Sequence, residues 1–304
     1  MTELAPDHRG LHSPHRRGDE RPTAAINDRL ATAEEVIIRA GPQGRRYFLE
    51  LWRYRELFAI LAWRDILVRY KQTVVGVGWS VAQPLLTMLI LSFVFGRLGG
   101  IASGGVPYPL LVFCGLLPWQ FFSVSMATGS QSLVNNVALV SKVYFPRLLI
   151  PASSIVVSLV DLMIAFGILV ALMFWFGWVP PPTIVLLPLF IGLAVMIAFG
   201  SVVWVSALMV QYRDFRFITP VVVQLGLYIS PVGFPSQIVP EQYQLLYALN
   251  PMVGVIDGFR ACILGGEFAL RGYSVLMSVI GGVFLLTTSL IYFRHTERKF
   301  ADLI

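Results

Sequence analysis

Between Thr73 and Gly96 the chain carries no Lys, Arg, Asp or Glu. An α-helix needs about 20 apolar residues to cross the hydrocarbon core of a bilayer, and this run supplies them. Five further runs of the same kind follow. Together they give expected spans at residues 76–97, 109–130, 148–177, 183–210, 217–233 and 273–293. The series predicts an all-α membrane protein with six transmembrane helices, since lipid requires each spanning segment to satisfy its own backbone. The fifth run is short and ends in SPVGFP, and the second contains Gly115 and Pro118, where a kink is expected. Composition agrees. Charged residues make up 13 % of the chain, about half the roughly 25 % of soluble domains, and mean hydropathy is +0.72. A net charge of +6 would suit nucleic acid, but the cations stand at the ends of apolar runs, where a bilayer places them. No nucleic-acid partner is expected.

Orientation follows from Lys and Arg in short loops. Arg45, Arg46, Arg53, Arg55, Arg64, Arg69 and Lys71 precede the first span. Lys142 and Arg147 follow the second, Arg213 and Arg216 the fourth, and Arg294, Arg298 and Lys299 the sixth. Only Arg97, Arg260 and Arg271 fall on the other side. Both termini are therefore expected in the cytoplasm, which six crossings permit. Residues 1–44 are polar and lack the apolar core of a signal peptide, so they read as a disordered cytoplasmic tail.

Residues 45–75 are expected to form an interfacial amphipathic helix. From 50 to 72 there is no Gly or Pro. At 100° per residue, Arg53, Arg64 and Lys71 share a wedge of about 20°. Trp52, Ile60, Trp63 and Leu67 flank it on one side, and Leu57, Leu61 and Val68 on the other. A cationic stripe between apolar bands suits a helix lying in the membrane interface, where membrane lipids are its partners. The stripe serves either as an anchor or as a receptor for a lipid phosphate.

Several chemistries are missing. The three lysines, Lys71, Lys142 and Lys299, are followed by Gln, Val and Phe, so none completes a P-loop. The only acid well inside a span is Asp161, with no intramembrane Lys, Arg or His apparent opposite it. It is expected to face a wet cavity or to hydrogen-bond nearby Ser or backbone groups; a proton-carrying role is the alternative. The histidines, His8, His12, His15 and His295, lie in the tail and at the far end. Cys114 and Cys262 lack paired spacing. No catalytic site, metal site or resident cofactor is expected. The chain reads as a conduit whose energy comes from a partner docked at its cytoplasmic surface.

RDILVRYKQTVVGVGWSVAQPLL with FVFGRL, then GLLPWQFF, SLVNNVALVSKVYFPRLLIP, YRDFRFITPVVVQLGLYISPV and LNPMVGVIDGFRACILGG resemble, in order and spacing, the type-2 ABC permeases that export surface polysaccharides such as O-antigen, capsule and teichoic acid. The resemblance covers about residues 48–300. It implies a transmembrane domain over 76–297 in the bacterial inner membrane, working as a homodimer with two separate ABC ATPase subunits that bind ATP and Mg. It implies a polysaccharide cargo on undecaprenyl pyrophosphate, an ATPase contact in the loop after span two, and short re-entrant helices between spans five and six.

On these implications, Asn135, Asn136, Lys142 and Arg147, in a loop ended by Pro146 and Pro151, are candidates for ATPase coupling, as are Arg213, Asp214 and Arg216 of the YRDFR turn. The segment from Ser230 to Arg271 is too apolar for a solvated loop and too broken to span, which suits re-entry. Tyr108, Trp119, Phe121 and Phe122 are candidates for a channel lining, because aromatic rings bind the C–H faces of sugars. Arg53, Arg64 and Lys71 become candidates for the carrier pyrophosphate. The alternatives are a permease for teichoic acid or for a small lipophilic compound, a proton-coupled transporter, and a membrane enzyme.

Overall fold

The computed structural model describes residues 51–71, 74–268 and 270–297, all within the compact unit Arg45–Ile304. The expected tail at 1–44 lies outside the described residues, as do Arg45, Arg46, Arg298 and Lys299. The described residues contain helices and no strand. They are α1 (Arg55–Lys71), α2 (Val74–Leu91, continued by π-helical turns over Ser92–Leu98), α3 (Tyr108–Gly129), α4 (Ser132–Asn135), α5 (Val137–Lys142), α6 (Leu149–Phe176), α7 (Leu187–Gln211), α8 (Phe215–Ile229), α9 (Glu241–Tyr247), α10 (Pro251–Ile263) and α11 (Gly272–Glu297).

Five helical stretches are long and apolar enough to cross a membrane: Gly78–Leu98, Tyr108–Gly129, Leu149–Phe176, Pro182–Gln211 and Gly272–Glu297. They fall on five of the six expected spans. The remaining one, expected at 217–233, is the 15-residue α8. At 1.5 Å per residue it extends about 22 Å, short of the roughly 30 Å core. Helix α3 runs through Pro118 without interruption.

Local sequence sets the ends of these helices. Gly177 follows α6 with φ +63°, a left-handed conformation that glycine adopts without a Cβ clash. Its N–H reaches the Phe174 carbonyl at 3.2 Å, and the Trp178 N–H reaches Met173 at 2.8 Å, closing the last turn. Helix α10 begins at Pro251, with the Asn250 side chain accepting the Met252 N–H at 3.0 Å.

The core is built around α3 and α10. Helix α3 is apolar on every side, and its positions from Leu110 to Trp119 are buried, as expected of a helix packed on all faces. Helices α6, α7 and α10 surround it. Within the apolar "loop" of the sequence, α10 is also buried almost throughout and packs on α3, α7 and α11. Gly254 makes the α10–α11 approach possible. Its N–H donates to Ser278 Oγ at 3.0 Å, and a side chain there would collide with Ser274 and Ser278. A second apolar cluster joins Leu61 of α1 to Leu133, Val140 and Phe145, the start of α6, and the far ends of α7 and α11.

Candidate functional site

Helices α2, α3 and α8 enclose an open cleft of about 310 Å³. Gln83 and Thr87 of α2, Trp119, Gln120 and Ser123 of α3, and Gln224 of α8 contribute to its wall, and no charged residue does. Among the described residues, the carboxamides of Gln83, Gln120 and Gln224 bond to no other group of the chain. A membrane-embedded cleft with free amides favours contents that can hydrogen-bond, since an unmade bond in an apolar setting is costly. Gly226 lets α8 come against the Trp119 indole, since a Cβ there would sit 2.6 Å from the ring. Phe122 supports the indole at 5.5 Å between ring centroids.

The four aromatic candidates are thus placed differently. Trp119 lines this cleft. Phe121 is buried and lines a second cavity, described next. Phe122 braces Trp119 from outside the cleft wall. Tyr108 donates its hydroxyl to the Gly233 carbonyl at 2.8 Å and lines neither space.

The second cavity, about 200 Å³, lies between α1, α2, α3 and α6. Asp161 sits in it. Arg69 Nη2 stands 2.6 Å from Asp161 Oδ2, and the Tyr70 hydroxyl donates to Oδ1 at 2.5 Å. The sequence reading placed Asp161 beside a wet cavity or nearby Ser and backbone groups, with no cation opposite. The cavity is there, but the partners are Arg69 and Tyr70, about ninety residues away on α1. A lone acid inside a span calls for such a partner, and this was the signal available in the sequence. Trp79, Gln83 and Gln120 complete this wall, the last two shared with the first cleft.

The cationic stripe is divided. Arg53 and Lys71 are exposed. Arg64 pairs with Asp65 at 2.7 Å and donates to Asn136 Oδ1 at 3.1 Å, while Asp65 accepts from Ser153 Oγ at 3.1 Å. The middle cation therefore ties α1 to the α4–α5 segment and to α6.

Of the coupling candidates, Asn135 and Lys142 are exposed. Asn136 holds Arg64 and donates to the Ser132 carbonyl at 2.8 Å. Arg147 donates through its backbone N–H to Glu297 Oε1 at 3.0 Å and through its guanidinium to the Glu297 carbonyl at 2.5 Å. Tyr292 donates to Gln211 Oε1 at 2.8 Å, drawing the last turn of α7 to α11. Arg213, Asp214 and Arg216 follow directly and are exposed. These bonds gather both candidate segments at one end of the bundle, which is its cationic end.

Arg260 is the functional-looking residue that the sequence misplaced. Counted there as a loop cation, it lies inside α10 with 1 % exposure. Its guanidinium donates to the carbonyls of Phe234 at 2.9 Å, Val232 at 2.8 Å and, weakly, Leu111 at 3.4 Å. Asp257, one turn earlier, faces the same small cavity with Ser236 and Arg271. The cation clamps the chain after α8 onto α3 and α10. Among the described residues, no three His, Cys, Asp or Glu stand close enough to hold a metal.

The profile of the ABC-2 type transporter family matches residues 56–264. The O-antigen export system permease protein RfbA of Klebsiella pneumoniae is 27 % identical over 250 residues, covering 82 % of this chain and 95 % of the relative. Its namesake in Myxococcus xanthus is 27 % identical over 263 residues, covering 85 % and 99 %. The polysialic acid transport protein KpsM of Escherichia coli is 23 % identical over 214 residues, covering 67 % and 79 %. With more than half of its length matched, spanning α1 to α10 and both cavities, the chain belongs to the ABC-2 type transporter family.

Proposed function

We propose that this chain is the membrane subunit of an exporter that carries a surface polysaccharide across the bacterial inner membrane, powered by ATP hydrolysis in separate subunits. The cleft between α2, α3 and α8 carries the reading. It offers an indole for the apolar faces of sugars, and unpaired amides with the Ser123 hydroxyl for their edges. Several weak contacts in series let a polymer slide, as they let ions conduct. The neutral lining of the cleft favours an uncharged, O-antigen-type glycan over a polyanion such as teichoic acid.

An open polar cleft is poorly suited to lipid, so two copies of the chain face each other across it and enclose the path. The cationic end lies in the cytoplasm by the positive-inside rule, and both termini with it. Helix α8 with the residues after it makes the sixth crossing, and α9 and α10 re-enter from the outer face, locked by Arg260. ATPase subunits dock on Asn135, Lys142 and the Arg213–Arg216 turn. Their stroke reaches α1 through the Arg64–Asn136 bond. The exposed Arg53 and Lys71 meet the pyrophosphate of an undecaprenyl carrier.

Deletion of the gene tests this reading. Surface glycan should disappear and polymer accumulate inside, with export restored by the intact chain and impaired by Trp119→Ala. Unchanged surface glycan in the deletion strain would remove the proposal.

A further inference from the structure

We propose that the cavity between α1, α2, α3 and α6 is a saccharide subsite, which seats one neutral sugar ring of the cargo beside the interfacial helix before the polymer enters the larger cleft. This rests on the export reading above. The cavity combines the two halves of sugar chemistry. Trp79 is 59 % exposed, so much of its indole is open to a C–H face. Gln83 and Gln120 present carboxamides with no partner in the chain among the described residues. The Tyr70 hydroxyl and Asp161 Oδ1, bonded to each other, are the oxygens left for a hydroxyl group, since Asp161 Oδ2 is buried against Arg69. Acyl chains would leave these polar atoms unmatched.

The charge of the cavity separates a sugar from a phosphate. Arg69 is its one cation, and Asp161 neutralises it at 2.6 Å. An anion there would meet the Asp161 charge along with that of Arg69 and find no net attraction. A neutral polyol needs only to bond to the outer edges of the pair. The anion-attracting positions remain exposed at Arg53, before α1, and at Lys71, the last residue of α1, with Arg69 and Tyr70 just before Lys71 in the same helix. The phosphate and the first sugar are thereby given separate, adjacent places. Gln83 and Gln120 belong to both cavities, so a ring leaving the subsite passes to the larger cleft without losing its amide contacts.

The test is site-specific photocrosslinking of the full chain in cells that make the glycan, fed a tritiated neutral sugar. Trp79→p-benzoylphenylalanine should capture labelled glycan, and Phe284→p-benzoylphenylalanine, on the exposed face of α11, should not. Trp79→Ala should lower export about tenfold, and Trp79→Phe should retain most of it, both with normal membrane levels. Capture from the larger cleft, through Gln224→p-benzoylphenylalanine, with none from position 79 would overturn the subsite and leave the export reading standing. Crosslinks from position 79 to lipid alone, or to a second copy of the chain, would overturn it equally. Surface glycan that persists without the gene would remove both readings.

Discussion

Replacing Arg260 with Met keeps an apolar stem of similar reach and removes every donor. The carbonyls of Val232 and Phe234 lose bonds of 2.8 and 2.9 Å in a buried setting, and each orphaned acceptor costs about 1–3 kcal/mol. Two of them give about 4 kcal/mol at the centre of that range. A second route agrees, since stripping one partner from a buried charge network costs about 3–5 kcal/mol, and Asp257 is left facing the emptied cavity. A loss near 4 kcal/mol raises the unfolded fraction by roughly a thousandfold. Equilibrium unfolding in mixed micelles measures the total, and amide hydrogen exchange locates it. Residues 230–236 and the start of α3 should open first, because the guanidinium joins them. Arg260→Lys should recover less than half, since an ammonium cannot reproduce the planar fork. An Arg260→Met protein within about 0.5 kcal/mol of the native chain, the usual range for surface changes, would refute the clamp.

Gly254→Ala forces a methyl against the Ser274 carbonyl and Ser278 Oγ and should cost about 1–3 kcal/mol in the same unfolding assay, as overpacking does. The combined reversal Arg53→Glu and Lys71→Glu, which leaves the Arg64 contacts in place, should abolish export, followed by surface glycan staining, while co-purification of the ATPase and of a second copy survives. Loss of assembly instead would make these two cations structural.

The long helices were legible because the bilayer length rule needs only local composition. Gly99 and Gly177, each at the C-terminal end of an apolar run, close the π-helical continuation of α2 and α6 near the expected residues. Arg260 was not legible, since counting loop charges treats every cation between spans as solvated. Only the folded chain brings the carbonyls of 111, 232 and 234 around one guanidinium. The Asp161 partners were hidden for the same reason, being supplied across a separation of about ninety residues by a helix read only for its own stripe. The lining split likewise. Trp119 and Phe121 are two residues apart on α3 and so point to different walls, whereas Tyr108 became a tie to Gly233. The segment between Ser230 and Arg271 showed itself as apolarity without length, and its buried helix α10 accounts for that pattern.

Reconstitution tests the central claim most directly. The full chain is placed in liposomes with and without its co-expressed ABC ATPase, and delivery of lipid-linked glycan to the far leaflet is followed. Delivery should require both the ATPase and Mg-ATP and stop when either is withheld. Delivery by this chain alone would contradict the account.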